Sequence, residues 1–173
     1  AVLDLRGELE GSGRPDVSLG PDVATACISP FKVNMASTDM QATKSAAWVY
    51  DCIFENRDAW RRIFEFIADA PDGCVLFHCA VGKDRTGILA TLIMLLSGCD
   101  RWDALASYAP SRVNLMRLPF FHLFWGKECS DGEREHYDSR PETLEHWFDR
   151  LDDGFGGDVR AYLAWCGGSD LTM

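Results

Sequence analysis

"FHCAVGKDRTG" (77–87) places the thiol of Cys79 six residues ahead of Arg85, with Gly82, Lys83 and Asp84 between them. The run "CVLF" (74–77) in front is short, unbroken and apolar, as a strand buried in a parallel sheet reads. Behind it, Gly87 to Leu96 is apolar nearly all round and predicts a buried helix stopped by Gly98. Strand, tight loop and helix in this order mark an α/β unit. The loop must turn sharply, and Gly82 tolerates the dihedrals this needs.

Such a loop is an anion cradle. Its backbone N–H groups can converge on one point, and the positive end of the following helix aims there too. Arg85 offers a planar fork for two oxygens of a tetrahedral oxyanion. Helix N-termini and nearby cations favour thiolate over thiol, which makes a cysteine at the base of the cradle a nucleophile for a bound phosphorus. Thr86 can donate to that sulfur, and His78 can hold the loop through its ring nitrogens. The phosphate-binding stretch is then Ala80, Val81, Gly82, Lys83, Asp84, Arg85 and Thr86.

Outward from the loop, "AVLDL" (1–5) and "DVATACI" (22–28) read as strands, and "GELEGSGRPD" (7–16) as a polar loop. Trp60, Ile63, Phe64 and Ile67 fall at helical spacing ahead of Pro71. "CDRWDALASYA" (99–109) predicts a short helix closed by Pro110. Ser139 to Glu142 predicts a capping box opening a helix with Leu144, Trp147, Phe148 and Leu151 on one face. Val159, Tyr162, Leu163 and Cys166 mark the last helix. The expected fold is α/β, a small central, mostly parallel sheet flanked by helices with a helical C-terminal part, and 1–173 reads as one domain.

A net charge of −10 and a pI near 4.7 argue against a nucleic-acid face and against docking on anionic lipid. They leave room for a local cationic pocket. The seven cysteines show no CxxC pair or Cys/His metal spacing, so no metal is expected. Scattered thiols in apolar settings read as buried and reduced, hence cytoplasmic. Secretion stays open, because Ala1 falls inside a strand and a leader would lie out of view. The apolar run 88–96 is far too short to span a bilayer.

His78-Cys79-x5-Arg85-Thr86-Gly87 resembles the signature of the protein tyrosine phosphatase superfamily. The fuller "HCAVGKDRTG" is similar to the loop of its atypical bacterial and fungal group. "DLRGELE" (4–10) resembles that group's DLRxxxE segment through Asp4, Leu5, Arg6 and Glu10. The C-terminal "RPETLEHWFDRLDDGFGGDVRAYLAWCG" resembles its last helices, with Tyr162 and Leu163 matching. Ser107-Tyr108 stands where the group usually has Asp-Tyr, and the group's NFRDLGG-like segment is not seen ahead of the DLR strand. On that pattern the domain lacks its N-terminal segment.

The resemblance implies a cofactor-free phosphomonoester hydrolase with a cysteinyl-phosphate intermediate. Phosphotyrosine is the first substrate class, phosphoserine and phosphothreonine follow, and phosphoinositides are the alternative. From another class, the rival is a phosphate-binding module without turnover, although pure binding needs no thiol. A nucleotide-binding loop fits poorly, since Asp84 follows Gly82-Lys83 where Ser or Thr is required. Sulfur-transferase loops match less well at His78 and Thr86-Gly87.

Several roles stay open. Lys83 is either a second phosphate-facing cation or a solvated loop residue. Asp84 protonates the leaving oxygen, pairs with a cation to fix the loop, or points outward. Asp39 in "NMASTDM" (34–40) is the rival acid and Asp51 a weaker one. The irregular stretch 111–138, with "LPFFHLFW" (118–125), is core packing or a hydrophobic lid. Cys27 or Cys74 is a candidate partner for Cys79 in a protective disulfide.

Overall fold

The computed structural model describes residues 1–13, 19–31, 45–117 and 140–167. Three short strands, β1 (Val2–Asp4), β2 (Thr25–Cys27) and β3 (Leu76–His78), form a sheet in the order β2-β1-β3. Both pairings are parallel, with Leu3 opposite Ala26 on one side and Phe77 on the other. Parallel neighbours need long crossovers. The chain between β2 and β3 includes helices α2 (Ala46–Phe54) and α3 (Arg57–Ala68). Leu3, Ala26 and Phe77 join the core, while Val2, Thr25 and Leu76 line an open groove on the opposite face.

After β3 come α4 (Asp84–Leu96), α5 (Arg101–Tyr108), α6 (Pro110–Met116), α7 (Pro141–Phe155) and α8 (Val159–Trp165). The core forms where the apolar faces of α2, α3, α4, α7 and α8 meet. Trp60, Trp147 and Tyr162 are almost wholly buried there. Trp60 Nε1 donates to Ile53 O (2.8 Å) and Tyr162 Oη to Phe54 O (2.9 Å), so these two rings bury their polar atoms with partners, whereas Trp147 Nε1 is buried without one among the described residues. The predicted apolar faces of α3, α7 and α8 all point inward, apart from Ile67, which is only half-buried.

Four expectations need correction. Residues 8–13 form a helix, α1 (Glu8–Gly13), instead of part of a loop. Its two glycines, Gly11 and Gly13, disfavour helix, but Gly7 N–H donates to Glu10 Oε2 (2.9 Å) and Glu10 is tied to α4, so tertiary anchoring overrides propensity. The stretch from 111, read as irregular, begins as a helix: α5 ends at Tyr108, ahead of Pro110 as expected, and Pro110 then stands at the first position of α6, where the missing N–H is no loss. Helix α4 is buried through Ile88, Leu89 and Leu92, while Ile93 to Leu96 are half-buried, so it packs by one face. The cysteines are not uniformly buried: Cys27 sits on the outer sheet face and Cys74 in the approach to β3, both exposed. Ser139 of the expected capping box lies outside the described residues, and Arg140 holds the N-cap of α7 without a side-chain bond.

The sequence announces helix α2 only in that Asp51 reads as lying on or near a helix. Ala46, Val49, Tyr50 and Ile53 are buried at i, i+3, i+4 and i+7, a periodicity present in the letters, and Ser45 caps the helix by accepting from Trp48 N–H. Among the described residues, no helix is long and apolar enough to cross a membrane.

Candidate active site

In open α/β sheets, ligands bind beyond the carboxyl ends of the strands. Two adjacent strands end here together. Strand β1 runs out into Leu5, Arg6 and α1, and β3 runs out into the loop 79–83. Leu5 N–H still donates to His78 O (2.8 Å), so the two exits stay side by side. This adjacency brings α1 to the start of α4.

Cys79 follows β3 directly and is 7% exposed. Gly82 has φ +70°, the turn conformation that its place in the loop predicts. No backbone carbonyl among the described residues accepts from the N–H of Ala80, Val81 or Gly82. The first helical bond of α4 runs from Gly87 N–H to Lys83 O (2.7 Å), and the N-cap Lys83 supplies no side-chain cap. The N–H groups of Asp84, Arg85 and Thr86 therefore precede the helical ladder. The loop and helix start together present a run of uncommitted donors next to Cys79.

Arg85 is 8% exposed and its donors are divided. Nη1 donates to Glu10 Oε2 (2.6 Å) and to Leu5 O (3.2 Å), and Nη2 donates to Glu10 Oε1 (2.9 Å). A guanidinium has five N–H donors. Those on Nε and the second on Nη2 form its other edge, and they remain available among the described residues. Burial works against the Arg85 charge, but the bonds it donates to Glu10 and the negative charges of Cys79, Glu10 and Asp84 outweigh it and raise its pKa. Burial would likewise raise the Glu10 carboxyl; the bonds from Arg85 and Gly7 N–H, with the charges of Arg85 and Arg6, hold it below its ordinary range.

The neighbouring Asp4 is gripped by Arg6, whose Nε and Nη2 donate to its two oxygens at 2.8–3.0 Å. Here too burial opposes the charge, and the Arg6 bonds win and lower the Asp4 pKa. These two ion pairs stand at the end of β1, whose Asp4 lies opposite His78 at the start of the loop.

Lys83 is 2% exposed, so it is not a solvated loop residue. Its Nζ lies 3.3 Å from Asp84 Oδ1. That same oxygen accepts from Tyr50 Oη (3.1 Å), and Tyr50 Oη is 2.8 Å from Tyr108 Oη. Asp84 is thus held inside the fold and does not point outward. Gly87 has a steric reason: a Cβ there would fall 2.8 Å from Tyr108 Cδ2. Tyr50, Tyr108 and the task of Glu10 were missed by sequence reasoning.

His78 Nδ1 lies 3.3 Å from Cys79 O, which fits a ring that steadies the loop. Thr86 behaves otherwise than expected. Its Oγ1 is buried and has no hydrogen-bond partner among the described residues, the Cys79 sulfur included, and the residue lines a cavity of about 170 Å³ between α4 and α5. The disulfide expectation also fails. Cys27 and His78 both lie opposite Asp4 on either side of β1, so two strand spacings, about 10 Å, separate their strands. A disulfide needs Cα atoms within about 7 Å. Cys74, five residues back along an extended chain, is farther still.

Asp51 is bound by α7, accepting from Arg150 Nη1 (2.8 Å) and facing His146 Nε2 (3.0 Å). Asp39 and the stretch 118–138 lie outside the described residues. Among the described residues no cluster of His, Cys, Asp or Glu could hold a metal.

A family model described as "Tyrosine phosphatase family" matches residues 1–172. The chain belongs to the tyrosine phosphatase family. A tyrosine-protein phosphatase of Nostoc commune is 36% identical over 102 residues, 59% of this chain and 31% of that protein. The triple specificity protein phosphatase PtpB of Mycobacterium tuberculosis is 33% identical over 92 residues, 52% of this chain and again 31% of the relative. The match to this tyrosine phosphatase family chain therefore spans about a third of each relative's length.

Proposed function

We propose that this chain hydrolyses phosphomonoesters through a cysteinyl-phosphate intermediate, with phosphotyrosine in proteins as its first substrate class. The observation that carries the reading is the divided Arg85 fork: one edge is locked on Glu10, and the other faces no described partner beside Cys79. A fixed cation with a free two-donor edge suits two oxygens of a phosphoryl group. The N–H groups of Ala80, Val81 and Gly82 and the start of α4 supply further preset donors as charge spreads over the equatorial oxygens.

In the first step the Cys79 thiolate attacks phosphorus in line. The S–P bond forms, the bond to the ester oxygen breaks, and that oxygen takes a proton. In the second step water attacks phosphorus, gives up a proton, and the thiolate leaves. Asp84 is the acid of the first step and the base of the second, because it is the carboxyl that the loop itself carries.

The test is hydrolysis of an aryl phosphate by the chain, with vanadate as inhibitor and a chelator as control. Cys79→Ser should abolish turnover and still bind phosphate analogues. Full activity in that variant would sink the mechanism.

A second substrate class has its own support. Lys83 is a buried cation in the loop, two residues ahead of Arg85, and two cations suit a substrate with more than one phosphate. One relative carries "triple specificity" in its name, which fits a site of this family that accepts more than one kind of ester. Lys83→Ala should then lose phosphoinositide hydrolysis selectively. Equal loss on phosphopeptides would remove that reading.

A further inference from the structure

We propose that Tyr50, backed by Tyr108, is the positioning residue of the loop acid: it fixes the Asp84 carboxyl through Oδ1, so that Oδ2 carries and delivers the proton. This rests on the reading of Asp84 as the acid.

The geometry is a chain of four groups drawn from three elements. Tyr50 comes from α2, Tyr108 from α5, and Lys83 and Asp84 from the start of α4. A carboxylate only accepts, so the single hydroxyl hydrogen of Tyr50 goes to Asp84 Oδ1 (3.1 Å). Tyr50 must then accept from Tyr108 across the 2.8 Å contact. Lys83 Nζ reaches the same Oδ1 at 3.3 Å. With two donors on Oδ1, the oxygen free to take a proton is Oδ2.

The arrangement is built rather than incidental. Tyr50 is 1% exposed, and burial, with the nearby Asp84 charge and Tyr108, pushes its own pKa well up, so the phenol stays protonated and remains a donor. Tyr108 reaches it only because position 87 has no Cβ. The final glycine of the loop motif thereby serves the acid as well as the helix. Arg85, beside Asp84, is engaged by Glu10 on its other side and does not compete for Oδ1.

During the first half-reaction Oδ2–H passes its proton to the leaving oxygen as the P–O bond breaks and the S–P bond forms. The negative charge left on Asp84 is met at Oδ1 by Tyr50 and Lys83. A poor leaving group, such as the alkoxide of a serine ester, depends on that proton; an activated aryl oxide hardly does.

The experiment compares kcat on an alkyl phosphate and on an activated aryl phosphate for the wild type, Tyr50→Phe, Asp84→Asn and the double variant. Positioning effects of this kind are worth about tenfold. Tyr50→Phe should lose about that much kcat on the alkyl ester, far less on the aryl ester, with KM little changed. The double variant should be no slower than Asp84→Asn alone. If Asp84→Asn shows the leaving-group selectivity and Tyr50→Phe slows both esters alike, Tyr50 only packs and the proposal falls while the acid assignment stands. If Asp84→Asn itself slows both alike, the acid assignment falls and takes the proposal with it. Should Tyr50→Phe not fold, Tyr108→Phe removes the backing hydroxyl, and the same selective loss is expected at smaller size; equal loss on both esters overturns the proposal.

Discussion

Glu10 holds Arg85 by the Nη1–Nη2 edge and leaves the Nε side of the guanidinium open. The pair joins the exit of β1 to the start of α4, and it exists because β1 and β3 are neighbours. A flexible arginine would sample many rotamers; this one is preset. The same ion pair anchors a helix that its own composition would not form.

Glu10→Gln keeps the shape of the side chain and removes its charge. Arg85 would then sit buried with a weaker partner, and its open edge would lose its aim. We expect kcat/KM to fall by about one to two orders of magnitude, with the stability to chemical denaturation reduced by about 2 kcal/mol. Steady-state kinetics with an aryl phosphate and a urea titration measure the two effects. A variant with wild-type kcat/KM would show that Glu10 does not set the Arg85 geometry.

The pair also predicts a pH dependence. The Glu10 carboxyl is lowered from its ordinary value of 4.5, so the unfolded chain binds its proton more readily. Its contribution to stability is fully present above about pH 4.5 and is lost as pH falls through the lower folded value. Asp4, lowered from 3.8, adds loss in a window starting lower. Melting temperatures between pH 6 and 3 should therefore fall more steeply for the wild type than for Glu10→Gln. Parallel curves would remove this account.

Gly87→Ala would add a Cβ 2.8 Å from Tyr108 Cδ2 inside a packed helix contact. Alanine favours helix by roughly 1 kcal/mol over glycine, but overpacking costs about 1–3 kcal/mol. A net loss of about 1 kcal/mol and a melting temperature lower by a few degrees are expected. Because Tyr108 backs Tyr50, the alkyl phosphate should suffer more than the aryl phosphate. A stabilised variant with unchanged kinetics would mean that Tyr108 yields freely.

The loop was legible because its parts are neighbours in the chain. Cys79, Gly82 and Arg85 declare strand end, turn and cradle within seven residues, and α7 and α8 show through their apolar periodicity. What escaped depends on distant contacts. Glu10 lies 75 residues from Arg85, and nothing in "GELEGSG" announces a helix. Tyr50, in a run with Trp48, Val49 and Ile53, looks like one more core aromatic, and only the fold reveals that its hydroxyl meets Asp84 34 residues away. Thr86 shows the converse: its place in the motif suggested a bond to sulfur, yet its hydroxyl is buried without a partner among the described residues.

Asp51 provides a control for the acid. Its carboxylate is committed to Arg150 and His146 on α7, and Arg150 also reaches Glu55, so it ties α2 to α7 rather than serving the loop. Asp51→Asn should keep the wild-type preference between alkyl and aryl phosphates while costing about 1 kcal/mol of stability through the weakened ion pairs. Asp84→Asn should instead lose hydrolysis of the alkyl phosphate selectively. If Asp51→Asn alone lost the alkyl ester, the proton would come from α2, and the acid would have to be sought there.

The thiols predict a graded reactivity that needs no substrate. Cys166 is buried beside Tyr162, and burial, only partly offset by its bond with that tyrosine and the charge of Arg57, pushes its pKa up to about 11. Only the thiolate alkylates, so Cys166 is almost entirely unreactive at neutral pH. Cys27 and Cys74 are exposed. Iodoacetamide on the native protein, followed by peptide mapping, should label Cys74 well before Cys166. Cys166 should become reactive only when urea unfolds α8 or when pH approaches 11. Equal labelling rates for Cys74 and Cys166 in the native state would mean that α8 opens locally, and that the packing of Tyr162 and Cys166 on α2 and α7 is looser than their burial implies.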